Sequence, residues 1–261
     1  MITLKKEKIE KCVTFEIEDK YKIQWIDLGV EGLNQFIPGL PKGDAILVRG
    51  EPGTGKTILS LQYLNKGCEL GEKCLYITTE ETPETVARTG AQLWKNFPKY
   101  IESGQIQVVN LSIAQSYASE YGLIRKEEAI RIMQAGLALQ PNASRICIDS
   151  LSSLERRLED PTEFREVFMR MLLECKKTGA TTLFSAEGIP PEPGIVEYLV
   201  DHLIYLDYAK HDVLWTRVFI LRKSRSVPLH PEILKLNIET GGLYVEEIPI
   251  SLKPVWFASK I

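Results

Sequence analysis

Residues 50–57 read Gly50-Glu51-Pro52-Gly53-Thr54-Gly55-Lys56-Thr57, a glycine, four residues and then Gly-Lys-Thr. That is the spacing of a phosphate-binding loop. The glycines at 50, 53 and 55 lack a Cβ, so the backbone can wrap around an anion with several N–H groups turned inward. Lys56 reaches the β- and γ-phosphates, and the Thr57 hydroxyl sits where it can ligate Mg²⁺. With Ile58, which opens the following helix, residues 50–58 form the candidate site for ATP. Such a loop holds a nucleotide but does not hydrolyse it; a metal partner and a base are also required. Asp149 ends the apolar run Arg145-Ile-Cys-Ile-Asp149 and would hold Mg²⁺ through water opposite Thr57. Its alternative role is to cap a helix that follows Ser150. Glu80 and Glu81 end a second apolar run. Glu80 suits the base that orients or deprotonates the attacking water, with Glu81 as its electrostatic partner. Two adjacent carboxylates also raise one pKa. The alternative is that Glu81 and Glu84 merely complement the dipole of a helix starting at Pro83.

These groups work only if strands and helices bring them together. Residues 44–49 form a short apolar run of strand type, and 58–64 carry apolar residues at helical spacing, so strand, glycine loop and helix come in the required order. Strands are predicted over 73–79, 105–111, 145–150 and 180–185. Helices are predicted over 83–97, 127–139 and 162–177, the first capped by Thr82 with Pro83 at its first position. This alternation predicts an α/β fold, a mostly parallel sheet with helices on both faces. It also sets the acids at the carboxyl ends of strands, where ligands gather. After Glu187 the pattern changes to short apolar runs at 203–207, 214–221, 233–238 and 243–245, read as a C-terminal antiparallel extension of the same sheet. The Pro- and Gly-rich stretch from Gly188 to Gly194 is a surface loop. Three regions follow. Residues 1–25 are an extension in which Val13, Phe15 and Ile17 alternate with polar residues as a strand. Residues 26–248 are the nucleotide domain. Residues 249–261 are an apolar tail whose Pro254-Val-Trp-Phe257 docks on its own core or on a neighbouring subunit.

The 261 residues suffice for one large domain, and 44% hydrophobic with 26% charged residues is ordinary for a globular protein. A net charge of −3 gives no global attraction to nucleic acid or anionic membrane. The five cysteines, at 12, 68, 74, 147 and 175, have no CxxC spacing and suit a reducing compartment. Cys147 reads as core. The three histidines are too scattered for a metal cluster. No segment approaches the length of a membrane helix and no signal-peptide core follows the charged start, so the expected location is the cytoplasm.

The chain resembles the KaiC-like branch of the RecA superfamily of P-loop ATPases over residues 26 to 246. Besides the phosphate loop, the resemblance rests on the glycine-rich stretch from Gly29 to Gly43, the double glutamate at 80 and 81, Asp149-Ser150, and Glu197-Tyr-Leu-Val-Asp201 before an apolar strand. It implies a RecA-like core that hydrolyses ATP to ADP and phosphate with Mg²⁺, in a homo-oligomer, usually a hexameric ring with ATP between neighbours. It also gives meaning to Arg217 and to Lys223-Ser-Arg225, which fall on the family's Lys-x-Arg element. In the family Lys223 and Arg225 would act on the γ-phosphate of the adjacent subunit, as an arginine finger does. Residues i and i+2 of a strand share a face, so the two can converge on one target. Their alternative is a charged, solvated edge strand. Ser226-Val227-Pro228 departs from the family's usual Gly-Thr, so this loop can differ in shape.

The resemblance points to an oligomeric ATPase switch working on an unknown protein partner. A recombinase-like or recombination-mediator ATPase that binds DNA is the alternative. DNA-binding relatives need basic or aromatic loops, whereas the 187–194 loop carries two acids and no base; weak DNA binding stays open. Autokinase activity is disfavoured, because Glu197-Tyr198 stands where acceptor Ser and Thr occur in the clock branch.

Overall fold

The computed structural model describes residues 22–111, 126–156, 158, 160–190, 194–211, 214–225 and 233–248. The strand expected at 13–17, the tail at 254–257 and Ser226-Val227-Pro228 lie outside them. A nine-stranded sheet organises the chain. Its strands, after the short pair β1 (Trp25–Ile26) and β2 (Leu40–Pro41), are β3 (Ala45–Gly50), β4 (Cys74–Thr78), β5 (Ile106–Asn110), β6 (Arg145–Asp149), β7 (Thr181–Glu187), β8 (His202–His211), β9 (Leu214–Ser224), β10 (Ile233–Glu239) and β11 (Gly242–Glu247). Their spatial order is β11-β10-β9-β8-β3-β7-β6-β4-β5. The helices are α1 (Lys56–Glu69), α2 (Pro83–Leu93), α3 (Phe97–Glu102), α4 (Lys126–Leu139), α5 (Leu151–Glu155), α6 (Pro161–Lys177) and α7 (Ile195–Leu199).

Period-two alternation divides each central strand between two cores. Ala45 and Leu47 of β3, Leu75 and Ile77 of β4, and Ile146 and Ile148 of β6 join one core with Met133 of α4 and Phe168 of α6. Ile46 and Val48, Cys74 and Tyr76, and Cys147 join the other, with Leu59 and Tyr63 of α1, Val86 of α2 and Phe97 of α3. Apolar residues on both faces of a strand require helices on both sides, the condition for a parallel sheet. Arg145, 1% exposed, fastens the rear of the second core. Its guanidinium pairs with Glu72, donates to the carbonyls of Asp27 (2.6 Å) and Tyr63 (3.0 Å), and lies over the Tyr63 ring.

The mixed sheet with its antiparallel end agrees with the sequence reading, and two details differ. The helix expected over 83–97 stops at Leu93, and Trp94 is extended. The chain folds back at Trp94 so that Phe97, the first residue of α3, covers Gly90. A Cβ at Gly90 would lie 2.1 Å from that ring. The second detail concerns β8, expected within the antiparallel extension. It runs parallel to β3, and the antiparallel pairing begins with β9. The link from β7 to β8 contains α7, a one-turn crossover that lets β8 lie alongside β3 in parallel.

Candidate active site

The strand order assembles the site. β3 lies between β7 and β8, so Gly50 at its end faces Glu187 on one side and Leu206 on the other. A Cβ at Gly50 would lie 2.2 Å from the Leu206 carbonyl oxygen, so only glycine fits where the loop leaves the sheet. Gly53 and Gly55 have φ of 81° and 109°, and α1 starts at Lys56. The loop thus has the expected strand–glycine–helix form. Thr54 is buried, and its hydroxyl donates to the Glu51 carbonyl at 2.8 Å. Glu51 and Pro52 are exposed at the loop tip, while Thr57 and Ile58 are half-buried at the start of α1. The Lys56 ammonium donates to the carbonyls of Gly50 (2.8 Å) and Glu51 (3.0 Å). Burial lowers its pKa, opposed by the charges of Glu187, Asp149, Glu51 and Glu80.

Asp149 ends β6, two strands across from Gly50. Its carboxylate accepts from the Tyr76 hydroxyl at 2.9 Å and from the Ser185 hydroxyl of β7. Burial, and next the Asp149 charge, raise the Tyr76 pKa, so Tyr76 remains a donor. Asp149 does not cap α5: that helix has Ser150 as its N-cap, with no side-chain hydrogen bond.

Glu80 and Glu81 follow β4 and diverge. Their backbone N–H groups share the Thr78 hydroxyl. Glu80 is exposed; its carboxylate accepts from Ser153 of α5 at 3.1 Å and lies 3.9 Å from the Arg156 guanidinium. Glu81 turns inward, and its Oε2 is buried without a hydrogen bond. Burial raises the Glu81 pKa, and the charges of Asp149 and Glu80 add to it. One pKa of the pair is raised as expected, but burial outweighs the neighbouring carboxylate. Glu84, the other acid suggested as a dipole complement, is in the first turn of α2.

Lys223 and Arg225 converge as their spacing suggested. Lys223 donates to the carbonyls of Glu197 (2.8 Å) and Val200 (2.7 Å), and both side chains reach the Tyr198 carbonyl, at the C-terminal end of α7. Burial, then the Arg225 charge, lowers the Lys223 pKa. On one side Lys223 pairs with Leu203 of β8, while the β9–β10 register runs over Val218–Ile220 and stops short of Lys223. Arg217 stands apart from them and faces the phosphate loop of its own chain.

Several residues at the site carried no signal in the sequence. Tyr76 and Ser185 orient Asp149, Ser153 approaches Glu80, and Tyr208 contacts the phosphate loop. In the sequence Glu187 marks only the start of a loop. Its carboxylate pairs with Arg156 at 2.8 Å, and its carbonyl accepts from Arg49 at 2.9 Å. Each depends on which strands become neighbours, and no local motif encodes that.

Among the described residues no three His, Cys, Asp or Glu side chains group as a metal site, and no helix is long and apolar enough to cross a membrane. Mg²⁺ is nonetheless compatible with the donors present. It takes one or two protein oxygens and completes its shell with phosphate oxygens and water. Asp149 together with the unbonded Glu81 Oε2 supplies such hard donors.

A phosphate loop between a parallel sheet and its first helix, with acids on neighbouring strand ends, defines a nucleotide-binding α/β protein of the P-loop ATPase class. The family model for the KaiC ATPase matches residues 26–249, and the chain belongs to that family. The general reaction of the family is ATP hydrolysis. A UPF0273 protein of Methanopyrus kandleri is 30% identical over 246 residues, covering 88% of this chain and 95% of that protein. The circadian clock oscillator protein KaiC of Prochlorococcus marinus is 30% identical over 243 residues, 90% of this chain but 44% of the clock protein. A crystal structure of a KaiC-like protein from Pyrococcus horikoshii superposes with a TM-score of 0.73 at 28% identity, covering 86% of this chain and all of that one.

Proposed function

We propose that the chain is a Mg²⁺-dependent ATP hydrolase that works as a hexameric ring, binding ATP between neighbouring subunits and switching a protein partner. The domain that does this is residues 26–248, with 1–25 and 249–261 as an extension and a tail. The observation that carries the reading is the split between two sets of groups. The phosphate loop, Asp149, Glu80 and Glu81 gather at the carboxyl ends of β3, β6 and β4. Lys223 and Arg225 lie at the opposite end of β9 from Arg217, which touches that loop. A cationic pair so far from its own loop suits the loop of a neighbour.

In this reading the backbone N–H groups of the loop and Lys56 hold the phosphates, and Thr57 and Asp149 hold Mg²⁺, which offsets phosphate charge. Tyr76 and Ser185 keep the Asp149 carboxylate fixed. Glu80 takes the proton of the attacking water, and Glu81 keeps negative charge beside it. Lys223 and Arg225 of the adjacent subunit stabilise charge on the transferred phosphoryl group. Four cysteines, free and buried among the described residues, support a reducing, cytoplasmic setting.

The test is phosphate release by purified protein with ATP and Mg²⁺, alongside mass in solution with and without nucleotide. Lys56→Ala removes the cation that faces the β- and γ-phosphates, so binding and turnover should fall together. Phosphate release by Lys56→Ala equal to that of the parent would sink the ATPase assignment. A monomer at every nucleotide concentration would sink the ring.

A further inference from the structure

The Gly53 carbonyl oxygen, in the middle of the phosphate loop, accepts two hydrogen bonds from the sheet beside it. The Tyr208 hydroxyl of β8 donates at 2.9 Å and Arg217 Nε of β9 at 3.2 Å. Tyr208 and Arg217 are cross-strand partners, with the guanidinium 5.4 Å from the centre of the tyrosine ring. Trp215 packs edge-on against that ring. On the far side of the same peptide the Thr54 N–H points to the Glu51 carbonyl at 3.3 Å. The Gly53–Thr54 peptide plane is therefore held at both its oxygen and its hydrogen.

That constraint matters because Gly53, at φ 81°, has the conformational freedom to let the plane turn over. The C=O and N–H of a trans peptide point in opposite directions. A flipped plane would aim a carbonyl oxygen into a loop that binds anions through inward N–H groups. We infer that Tyr208, together with Arg217, is a positioning residue for the phosphate loop, acting within its own subunit. The pair fixes the Gly53 carbonyl away from the phosphates before nucleotide arrives, which lowers the ordering cost of binding. This rests on the reading of residues 50–57 as the ATP site. It gives Arg217 a task distinct from that of Lys223 and Arg225.

Tyr208→Phe removes one hydroxyl and keeps the ring that packs on Arg217 and Trp215. Binding of ATP–Mg²⁺ and of pyrophosphate should both weaken by about five- to tenfold, the factor carried by one ordinary hydrogen bond. Turnover at saturating ATP should stay at the parental value, so KM moves and kcat does not, with only the small fall in melting temperature that one lost hydrogen bond carries. A merely structural role would lower the melting temperature and leave both affinities unchanged. ATP and pyrophosphate affinities within about twofold of the parent overturn the inference, and so does a fall in kcat with affinity unchanged. A parent protein that binds neither probe overturns the nucleotide reading itself. A parent that binds both, with Tyr208→Phe binding equally well, overturns only the positioning role.

Discussion

Arg225→Ala separates action within a subunit from action on a neighbour. Arg217 marks the level of the chain's own phosphate loop, because its Nε reaches the Gly53 carbonyl. Lys223 lies further along the same strand and Arg225 just beyond its end. At about 3.4 Å per residue the path from Arg217 to Lys223 is ~20 Å, well beyond the span of a lysine or arginine side chain. Removing Arg225 should therefore leave nucleotide affinity unchanged. The cost in stability should also be small. The lost contacts are a hydrogen bond to the Tyr198 carbonyl and a 3.7 Å approach to Asp201 by a guanidinium whose side chain is 52% exposed, worth about 0–1 kcal/mol. Turnover should fall by ~10³, about 4 kcal/mol of transition-state stabilisation, if the residue serves a neighbour as an arginine finger does.

The assay is phosphate release at saturating ATP–Mg²⁺, with nucleotide affinity and melting temperature as controls. Co-expression with Glu80→Gln then tests the interface directly. In a ring of randomly mixed subunits about a quarter of the interfaces would pair an intact Glu80 with an intact Arg225, and activity should recover in that proportion. Co-assembled rings no more active than either variant alone would refute action in trans. Full turnover by Arg225→Ala would refute the finger itself.

Glu80→Gln should keep nucleotide affinity and lose roughly 10²–10⁴ in turnover, the span of a general base; an amide can still accept from the Ser153 hydroxyl, which holds the side chain now at 3.1 Å. Near-parental phosphate release would move the role to Glu81. Asp201→Asn should change the acid side of the stability profile. Burial alone would raise the Asp201 pKa, but the Lys176 ammonium and the Ala45 N–H lower it overall. A folded value below the unfolded one gives stability that is present above the unfolded value and lost as pH falls through the folded one. The variant should be less stable than the parent at neutral pH by about 1 kcal/mol, less than a fully buried charged hydrogen bond, because Lys176 is 40% exposed. The gap should close toward low pH. Melting curves across pH test this; a gap that persists below the usual carboxylate range would show that packing, not charge, is what Asp201 contributes.

What the sequence revealed and what it concealed differ in one respect, the distance along the chain between the groups concerned. Residues 50–57 are contiguous and carry their meaning in spacing alone. Asp149 and Glu80 were legible because each ends an apolar strand, and in a parallel sheet such ends meet ligands. Strand order was not legible. β3 and β4 are successive in sequence among the strands of the large sheet, yet β7 and β6 lie between them. A period-two pattern tells which face a residue takes, but not which strand lies beside it. Every contact that holds a site residue across strands therefore escaped the sequence: Ser185 on Asp149, and Tyr208 and Arg217 on Gly53. The break in the helix expected over 83–97 is different in kind, a local fold-back that sets Phe97 on Gly90 seven residues earlier. Glu187 shows the consequence most directly. Its neighbours in sequence mark it as the edge of a loop, whereas the register places it opposite Gly50. There it adds to the negative field at Lys56 and pairs with Arg156, whose guanidinium also approaches Glu80. Insertion of β7 between the loop strand and the Asp149 strand thus sets one carboxylate between the group assigned to hold phosphate and the group assigned to activate water.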